Sequence, residues 1–489
     1  MNDGPPGAHR PRIIITSALW RLFEIAGAEV LSFGFMVLLA RLLSPEDYGL
    51  VASAALFVVS CQTLLMRGIP DAIIQADVLS DALLDTAFWI NLAIGCSLSL
   101  VLVGLAGPSA ALLGQPDLRN VMFGLAPLPP LFAAIGIYHA QLRREMKFRK
   151  LAMRTHAAVL GGGGAGVALA LSGAGYWSLV GQQLSYTIAN LLVIAFASGW
   201  RPRLRFDRDG ARFLRGFGST VSAAALLDTL SHGGLAFIVG LRQPAAMVGM
   251  FFMARRVVFS LSMFTHWSVN ELSLPVLSRV AADPEKHREA VYMCLKLASL
   301  ITVPAFAGVA VFAERIVPLA FGAEWAESTG ALQVLLLAGI LQAIPSVASQ
   351  VFNSVGQPHH TLQINIVTSV LIVLLVGLLA GHGIVAAATG VLIAYAVAAP
   401  LALLRLRTSV QLSLLRLARE QALVWLGIAG LSLAVAAIDR VVPAGVSPGA
   451  VLAAELGLWA VGVAVTLHLA LPQGRSWIAA FLARPGQGA

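Results

Sequence analysis

Long apolar runs recur along the whole chain, separated by short polar segments. Each run holds roughly 20 residues with few charges, which is the length a helix needs to cross the hydrocarbon core of a bilayer. The fourteen runs lie at 17–42, 48–67, 83–106, 120–141, 152–172, 175–199, 215–239, 246–270, 290–313, 328–351, 361–380, 383–404, 421–438 and 449–471. The runs are continuous rather than alternating, which favours helices, because a helix satisfies its backbone hydrogen bonds internally within lipid. The pattern predicts an all-α polytopic membrane protein with about 14 transmembrane helices.

Composition agrees with this interpretation. Of 489 residues, 58% are hydrophobic and 12% are charged. A soluble chain of that composition could not cover its apolar surface with polar residues. The three cysteines, Cys61, Cys96 and Cys294, fall inside apolar runs, so we expect small buried side chains rather than disulfides or metal ligands.

The 33 Lys and Arg residues fall mainly in every second loop. With the N-terminus placed inside, and with residues at the ends of the runs counted with the adjoining loops, the inside loops hold 24 of them, the outside loops 5 and the interiors of the apolar runs 4. Such a bias follows the positive-inside rule and predicts that both termini are cytoplasmic. The net charge of +9 is therefore interpreted as an orientation signal, and no nucleic-acid partner is expected.

Two segments 200 residues apart resemble each other. Leu39–Gly49 reads LARLLSPEDYG, and Val239–Gly249 reads VGLRQPAAMVG. The repeat predicts two bundles of six helices in the same orientation, an arrangement that transporters use around a central cavity. The predicted divisions are an N-terminal lobe at 1–199, a cytoplasmic linker at 200–214, a C-terminal lobe at 215–404, two additional helices at 405–471 and a flexible cytoplasmic tail at 472–489.

Four motifs in the first half resemble a known family. They are Leu39–Gly49, Gln141–Lys150 (QLRREMKFRK), Gly173–Val180 (GAGYWSLV) and Pro202–Phe206. They are similar to Wzx-like polysaccharide flippases of the polysaccharide transporter family. That family belongs to the multidrug/oligosaccharidyl-lipid/polysaccharide exporter superfamily, which also holds the MATE exporters and the lipid II flippases.

The resemblance implies a fold and a substrate. It implies two six-helix lobes in a MATE-like V shape, with spans 1, 2, 7 and 8 lining a cavity. The implied substrate is an undecaprenyl-diphosphate-linked oligosaccharide, moved across the bacterial inner membrane for exopolysaccharide, capsule or O-antigen synthesis. The implied partners are this lipid-linked diphosphate, membrane lipids and the polysaccharide polymerase machinery. No cofactor is implied, and a monomer is expected.

Charges within spans are the candidate site residues, because a charge inside a bilayer is costly and usually faces a cavity or a partner. Arg255 and Arg256 lie in span 8, Arg21 and Glu24 in span 1, and Asp228 in span 7. The guanidinium group offers a planar fork of donors that suits a diphosphate, so the four residues of spans 1 and 8 are predicted to bind substrate.

Each candidate has a structural alternative. Neighbours on a helix point about 100° apart, so only one of Arg255 and Arg256 is expected to face a cavity, and Arg255 is preferred. Arg21 and Lys296 lie near the inner ends of their spans, where long cationic side chains can extend to the membrane surface. Asp228 is interpreted either as a charge partner for an arginine or as a cation-coupling group.

Other function classes lack their signatures. The sequence has no G-x-x-x-x-G-K-[ST] phosphate loop, no clustered metal ligands and no recognisable nucleophile motif, so we expect a transporter rather than an enzyme. A membrane glycosyltransferase, polymerase or ligase would need sizeable outside loops, and this chain has none. The main alternative is a cation-coupled multidrug exporter or another lipid exporter of the same fold.

Overall fold

The computed structural model of the chain describes residues 26–76, 79–145, 147–214, 234–441 and 448–470. Every regular element within these ranges is helical. We number the α-helices in chain order as α1 Ala28–Ala40, α2 Pro45–Met66, α3 Ile69–Gln75, α4 Asp81–Leu113, α5 Leu118–Leu125, α6 Leu128–Arg144, α7 Phe148–Leu171, α8 Trp177–Ser198, α9 Leu235–Gly240, α10 Ala245–Val280, α11 Pro284–Val311, α12 Ala313–Phe321, α13 Ser328–Ser354, α14 Pro358–Leu379, α15 Ile384–Val410, α16 Leu414–Val441 and α17 Pro448–Ala470.

The predicted all-α membrane fold is confirmed. Within the described ranges, eleven helical segments are long and apolar enough to cross a membrane. Predicted spans 1 and 7 fall partly on residues 1–25 and 215–233, which lie outside the described part of the chain. Predicted span 5 corresponds to α7, a helix of 24 residues that begins in a basic segment. The count of fourteen stays a prediction.

Predicted span 2 is followed by a short helix that the hydropathy pattern did not reveal. The chain turns at Gly68, whose φ of 59° favours glycine, and continues as α3. The Asn91 side chain donates to the carbonyl oxygens of Leu65 at 3.0 Å and Ala133 at 2.9 Å. A buried carbonyl that loses its helical partner needs such a donor, so Asn91 stabilises the end of α2.

Side-chain caps mark where two of the long helices begin. At α2, Ser44 accepts from the backbone of Asp47, and Asp47 accepts in return from the backbone of Ser44, with Pro45 in the first turn. At α11, the Asp283 carboxylate accepts from the backbone of Lys286 at 3.2 Å and lies 2.8 Å from its Nζ atom. The hydrogen bonds from Lys286 hold the pKa of the Asp283 carboxyl below its ordinary value. Both carboxylates lie at helix N-termini, where the helix dipole favours negative charge.

The chain forms two compact units. The first comprises Met1–Met253 with Ala320–Trp325 and Ala380–Ile384, and the second comprises Ala254–Leu319, Ala326–Leu379 and Val385–Ala489. A buried cluster in the first unit includes Met122, Leu128 and Phe132, and one in the second includes Tyr292, Val351 and Phe352. The lobe boundaries drawn from the sequence repeat stay predictions.

The two repeated segments meet inside the first unit at a close backbone crossing. A Cβ atom added to Gly49 would lie 1.7 Å from the carbonyl oxygen of Ala245. A Cβ atom added to Gly249 would lie 1.9 Å from the carbonyl oxygen of Pro45. The contact is reciprocal, because residues 45 and 49 of one repeat meet residues 249 and 245 of the other. Glycine at both positions lets α2 and the start of α10 approach this closely.

The last two helices are integrated into the second unit. On α16, Arg416 donates from Nη2 to Glu289 Oε2 of α11 at 2.6 Å, and its guanidinium lies 4.2 Å from the centre of the Tyr292 ring. On α17, the carboxylate of Glu455 pairs with Arg315 of α12. These ion pairs tie α16 and α17 to α11 and α12.

Candidate functional site: a polar column in the second unit

Arg255 lies at the middle of a membrane-spanning helix. The apolar part of α10 runs from Ala245 to His266, and Arg255 is about three turns from its start. Its neighbour Arg256 shares this depth, and both side chains are half-buried. Both cations lie roughly 15 Å from the start of the apolar part, which is about half of a hydrocarbon core about 30 Å thick. Neither side chain therefore reaches the membrane surface easily.

The two arginines have different surroundings, as their 100° separation requires. Arg255 lies near Tyr395 of α15. The guanidinium of Arg256 lies 5.2 Å from the ring centre of Phe259, an exposed residue one turn further along α10. The Arg255 side chain therefore lies beside a second helix of the unit, whereas the Arg256 side chain contacts the exposed edge of its own helix.

Two further polar side chains follow Arg255 along the same face of α10. His266 is three turns from Arg255, and Asn270 is one turn beyond it. The His266 ring stacks on Phe306 with centres 5.7 Å apart, and Asn270 Nδ2 donates to Ser346 Oγ of α13 at 2.8 Å. We call this set the polar column; it consists of Arg255, His266, Asn270, Ser346 and Tyr395.

The polar column retains hydrogen-bonding capacity inside an apolar bundle. His266 Nε2 and Asn270 Oδ1 are buried and have no hydrogen-bond partner among the described residues. Most buried polar atoms in proteins have a partner, so these two atoms are open to a water molecule or another polar group. The column thus offers a cation, an imidazole, an amide and two hydroxyls along the unit's interior.

The sequence pattern shows His266 as an ionisable residue within span 8 but gives no reason to select it, and it does not single out Asn270, Ser346 or Tyr395. Each is a lone polar residue in an apolar helix, and such residues are equally common as packed structural groups. Only the packing of α10 against α13 and α15 places the polar side chains of the three helices near one another. A signal did exist, because residues 255, 266 and 270 share one helical face, but the pattern alone does not say which face is interior.

Three of the predicted site residues cannot be placed. Arg21, Glu24 and Asp228 lie outside the described residues, so their roles stay predictions. Lys296 is half-buried on α11. That helix starts at Pro284 rather than near 290, so Lys296 lies about three turns into the helix.

Several basic residues counted with the loops lie on helices that extend beyond the apolar runs. Arg154 is on α7 and only 8% exposed, with Nη2 3.3 Å from Thr155 Oγ1. Arg315 is on α12, where it pairs with Glu455. Helical structure thus continues past the apolar runs, and the side of the membrane on which these residues lie stays a prediction.

A metal centre finds no support in the part of the chain that the structure describes. No three His, Cys, Asp or Glu side chains there lie close enough together to hold an ion. The three cysteines are free thiols, and two of them, Cys61 and Cys294, are buried.

The fold within the described ranges is that of a helical polytopic membrane protein. It is similar to the solved structure of the lipid II flippase MurJ in an inward closed conformation, with a TM-score of 0.74 and 13% identity over 96% of this chain and 100% of that one. It is also similar to an inward-facing MATE family multidrug resistance transporter of the MOP superfamily, with a TM-score of 0.64 and 16% identity over 79% of this chain and 95% of that one. At these identities the likeness establishes the fold.

The chain belongs to the polysaccharide biosynthesis protein family, whose profile matches residues 38–330. It is 25% identical to the lipopolysaccharide biosynthesis protein WzxC of Escherichia coli K12, over 68% of each chain. It is 26% identical to the succinoglycan biosynthesis transport protein ExoT of Rhizobium meliloti, over 66% of this chain and 65% of the relative. It is 22% identical to the teichuronic acid biosynthesis protein TuaB of Bacillus subtilis, over 70% of this chain and 72% of the relative.

These likenesses confirm the predicted family and fold class. The prediction of a transporter rather than an enzyme is confirmed as well, because the curated relatives are named for transport and biosynthesis rather than for catalysis. The family profile covers more than half of the chain and includes α10 with Arg255 and Arg256.

Proposed function

We propose that this protein is a flippase that carries a lipid-linked oligosaccharide across the bacterial inner membrane for the synthesis of an exported or surface polysaccharide. The observation that carries the proposal is the family profile over residues 38–330 on a fold that matches a lipid II flippase over 96% of the chain. The head of such a lipid is charged and strongly hydrated, so it needs a polar route through the apolar core.

In this proposal Arg255 binds the diphosphate during the crossing. Its fork of five donors matches phosphate oxygens, and its depth at the middle of the apolar part of α10 is where the diphosphate must exchange water for protein. Arg256 is a second phosphate contact beside the exposed Phe259. His266 and Asn270 offer their open polar atoms to the sugar hydroxyls. The isoprenoid tail stays in lipid and needs no polar contact.

The residues of spans 1 and 7 complete the proposal. Arg21 is a further phosphate contact, and Glu24, three residues along the same helix face, orients it. Asp228 is either the partner of a substrate-binding arginine or the carboxylate that couples a cation to transport. We propose cytoplasmic termini, a monomer and an association with the polysaccharide polymerase machinery.

Deletion of the gene tests the function. We expect the strain to lose one polysaccharide and to accumulate its lipid-linked repeat unit in the inner leaflet, and the wild-type gene to restore both. The measurements are the surface sugar composition and the labelled lipid-linked pool extracted from intact and lysed spheroplasts. Normal polymer together with altered drug efflux would refute the flippase and favour a multidrug exporter of the same fold.

The same strain tests the site. Arg255→Gln should insert at the wild-type level but restore polymer at a rate lower by about tenfold to a hundredfold, since a hydrogen bond to a charged group contributes about 1.5–3 kcal/mol. Lys296→Gln is the matched control, because Lys296 is also a half-buried cation on a spanning helix of the same unit. Equal loss in both variants would remove Arg255 from the site without affecting the flippase assignment.

A further inference from the structure

The segment that follows α8 is held on the first turns of α4 by three side chains. The backbone N–H of Arg203 donates to Asp85 Oδ1 at 2.9 Å, and Trp89 Nε1 donates to the carbonyl oxygen of Arg203 at 2.9 Å. Further along, the backbone N–H of Asp207 donates to Thr86 Oγ1 at 2.8 Å. Both ends of the segment 203–207 are thus fixed through backbone atoms, and these contacts do not use the side chains of Arg203, Leu204, Arg205 and Phe206.

These side chains point to solvent and combine apolar with cationic groups. Leu204 is 88% exposed and Phe206 is 65% exposed, and Arg203, Arg205 and Arg208 are exposed beside them. We call these five residues the linker surface. An exposed leucine and phenylalanine on an anchored backbone expose apolar area to water unless another apolar phase covers it.

The three arginines of the linker surface have no carboxylate partner within the described part of the chain. The two nearest acidic residues in sequence are otherwise engaged. Asp207 accepts from the backbone N–H of Asp209 at 3.0 Å, and Asp209 lies 3.3 Å from Nη1 of Arg212. The linker surface is therefore a group of positive charges without internal compensation.

The linker surface lies where a spanning helix leaves the hydrocarbon core. Helix α4 has 33 residues and is about 50 Å long, which exceeds a core of about 30 Å, so its ends reach the headgroup region. Aromatic side chains gather at this end: Trp89 contacts the segment, and the rings of Tyr138 and Trp200 lie 5.4 Å apart. Tryptophan and tyrosine are enriched at the membrane–water interface, because their rings combine an apolar body with a polar group.

We infer that the linker surface binds the headgroups of anionic phospholipids in the leaflet on this side of the membrane. The guanidinium groups of Arg203, Arg205 and Arg208 pair with lipid phosphates, while Leu204 and Phe206 enter the acyl boundary. The positive-inside rule requires charge alone in this loop. It does not require a backbone fixed at both ends or two exposed apolar side chains between the arginines. The surface binds lipid whatever the transported substrate is.

Native mass spectrometry of the full chain in detergent tests this lipid surface. The protein is titrated with dioleoylphosphatidylglycerol and, separately, with dioleoylphosphatidylcholine. An arginine near an anionic surface contributes about fivefold in affinity. We therefore expect R203Q/R205Q/R208Q to bind phosphatidylglycerol at least about tenfold more weakly than the wild type, with little change in its affinity for phosphatidylcholine. The backbone hydrogen bonds do not use the guanidinium groups, so the unfolding midpoint should stay unchanged.

The control variant removes the same charge elsewhere. Arg143, Arg407 and Arg419 are exposed arginines from three other loops or helix ends on the side predicted to be cytoplasmic. R143Q/R407Q/R419Q should keep the phosphatidylglycerol affinity within about twofold. Equal loss in both triple variants would overturn the inference, because the effect would then follow net charge rather than place.

A third titration with undecaprenyl diphosphate distinguishes the membrane lipid from the transported one. The linker variant should bind undecaprenyl diphosphate like the wild type while it loses phosphatidylglycerol. The reverse pattern, with undecaprenyl diphosphate lost and phosphatidylglycerol retained, would overturn the inference and place the linker surface on the substrate's route. Leu204→Ser with Phe206→Ser should weaken both phospholipids, because it removes the apolar contact that they share.

Discussion

At the scale of single residues, the neighbouring side chains distinguish charges that the sequence leaves alike. Arg255 and Arg256 are neighbours with the same chemistry, yet one lies beside Tyr395 of another helix and the other beside Phe259 of its own. Their depth followed from the length of the apolar run. Their partners depended on which faces of α10, α13 and α15 pack together, which a single helix does not specify.

The reciprocal crossing of Gly49 and Gly249 gives a stability prediction. Gly49→Ala should lower the free energy of unfolding by about 1–3 kcal/mol, because the new methyl group meets a backbone oxygen that cannot move aside. The unfolding midpoint in detergent is the measurement. Gly249→Ala should act in the same direction, since its methyl group would lie 1.9 Å from the carbonyl oxygen of Pro45.

Gly104→Ala is the matched control for both substitutions. Gly104 is also a helical glycine, but a Cβ atom there would meet nothing within 4 Å. Alanine in an open helical position should stabilise the protein by about 0.4–1 kcal/mol, since it restricts the unfolded chain. If Gly49→Ala raised the midpoint as Gly104→Ala should, the close crossing would not exist in solution.

At the scale of elements, the sequence located the helices better than it located their ends. Helix α10 continues to Val280, beyond the predicted end at 270, and α11 begins at Pro284 rather than at 290. Hydropathy marks only the part of a helix that lies in lipid, whereas backbone hydrogen bonding continues into water through polar residues such as Arg279 and Lys286. Short helices such as α3 were missed because no separate apolar run in the sequence corresponds to them.

The ion pair between α12 and α17 predicts an asymmetry between its two partners. Glu455 is 2% exposed, whereas the Arg315 side chain is 33% exposed. Arg315→Ala leaves a buried carboxylate unpaired and should destabilise the protein by about 3 kcal/mol. Glu455→Gln removes the carboxylate from a partly exposed arginine and should lower the free energy of unfolding by about 1 kcal/mol. The unfolding midpoints of the two variants provide the measurement.

The double variant Arg315→Ala with Glu455→Gln serves as the control in a thermodynamic cycle. It should be more stable than Arg315→Ala alone, because the uncompensated carboxylate is gone. Equal costs for the two single variants, or additive costs in the double variant, would contradict a buried pair that holds α17 against α12.

At the scale of the whole molecule, the distribution of charge predicts orientation. A C-terminal fusion to green fluorescent protein should fluoresce, and a fusion to alkaline phosphatase should be inactive, since 24 of the 33 Lys and Arg residues fall in loops or run ends assigned to the cytoplasm. Active phosphatase would mean that the termini are outside or that the number of spans is odd. It would also place the linker surface in the opposite leaflet.

The sequence alone determined the class of this protein. Apolar runs about 20 residues long can be buried only in a membrane, and helix-end motifs of glycine, proline and basic residues identified the family. Those features are local, so they are visible in one dimension. Only the tertiary structure decided that Gly49 meets Gly249, that Asn270 meets Ser346 and that residues 203–207 lie on α4. Each of these contacts joins residues far apart in sequence, and the hydrophobic pattern of a membrane helix, apolar on every side, does not say which side faces a neighbour.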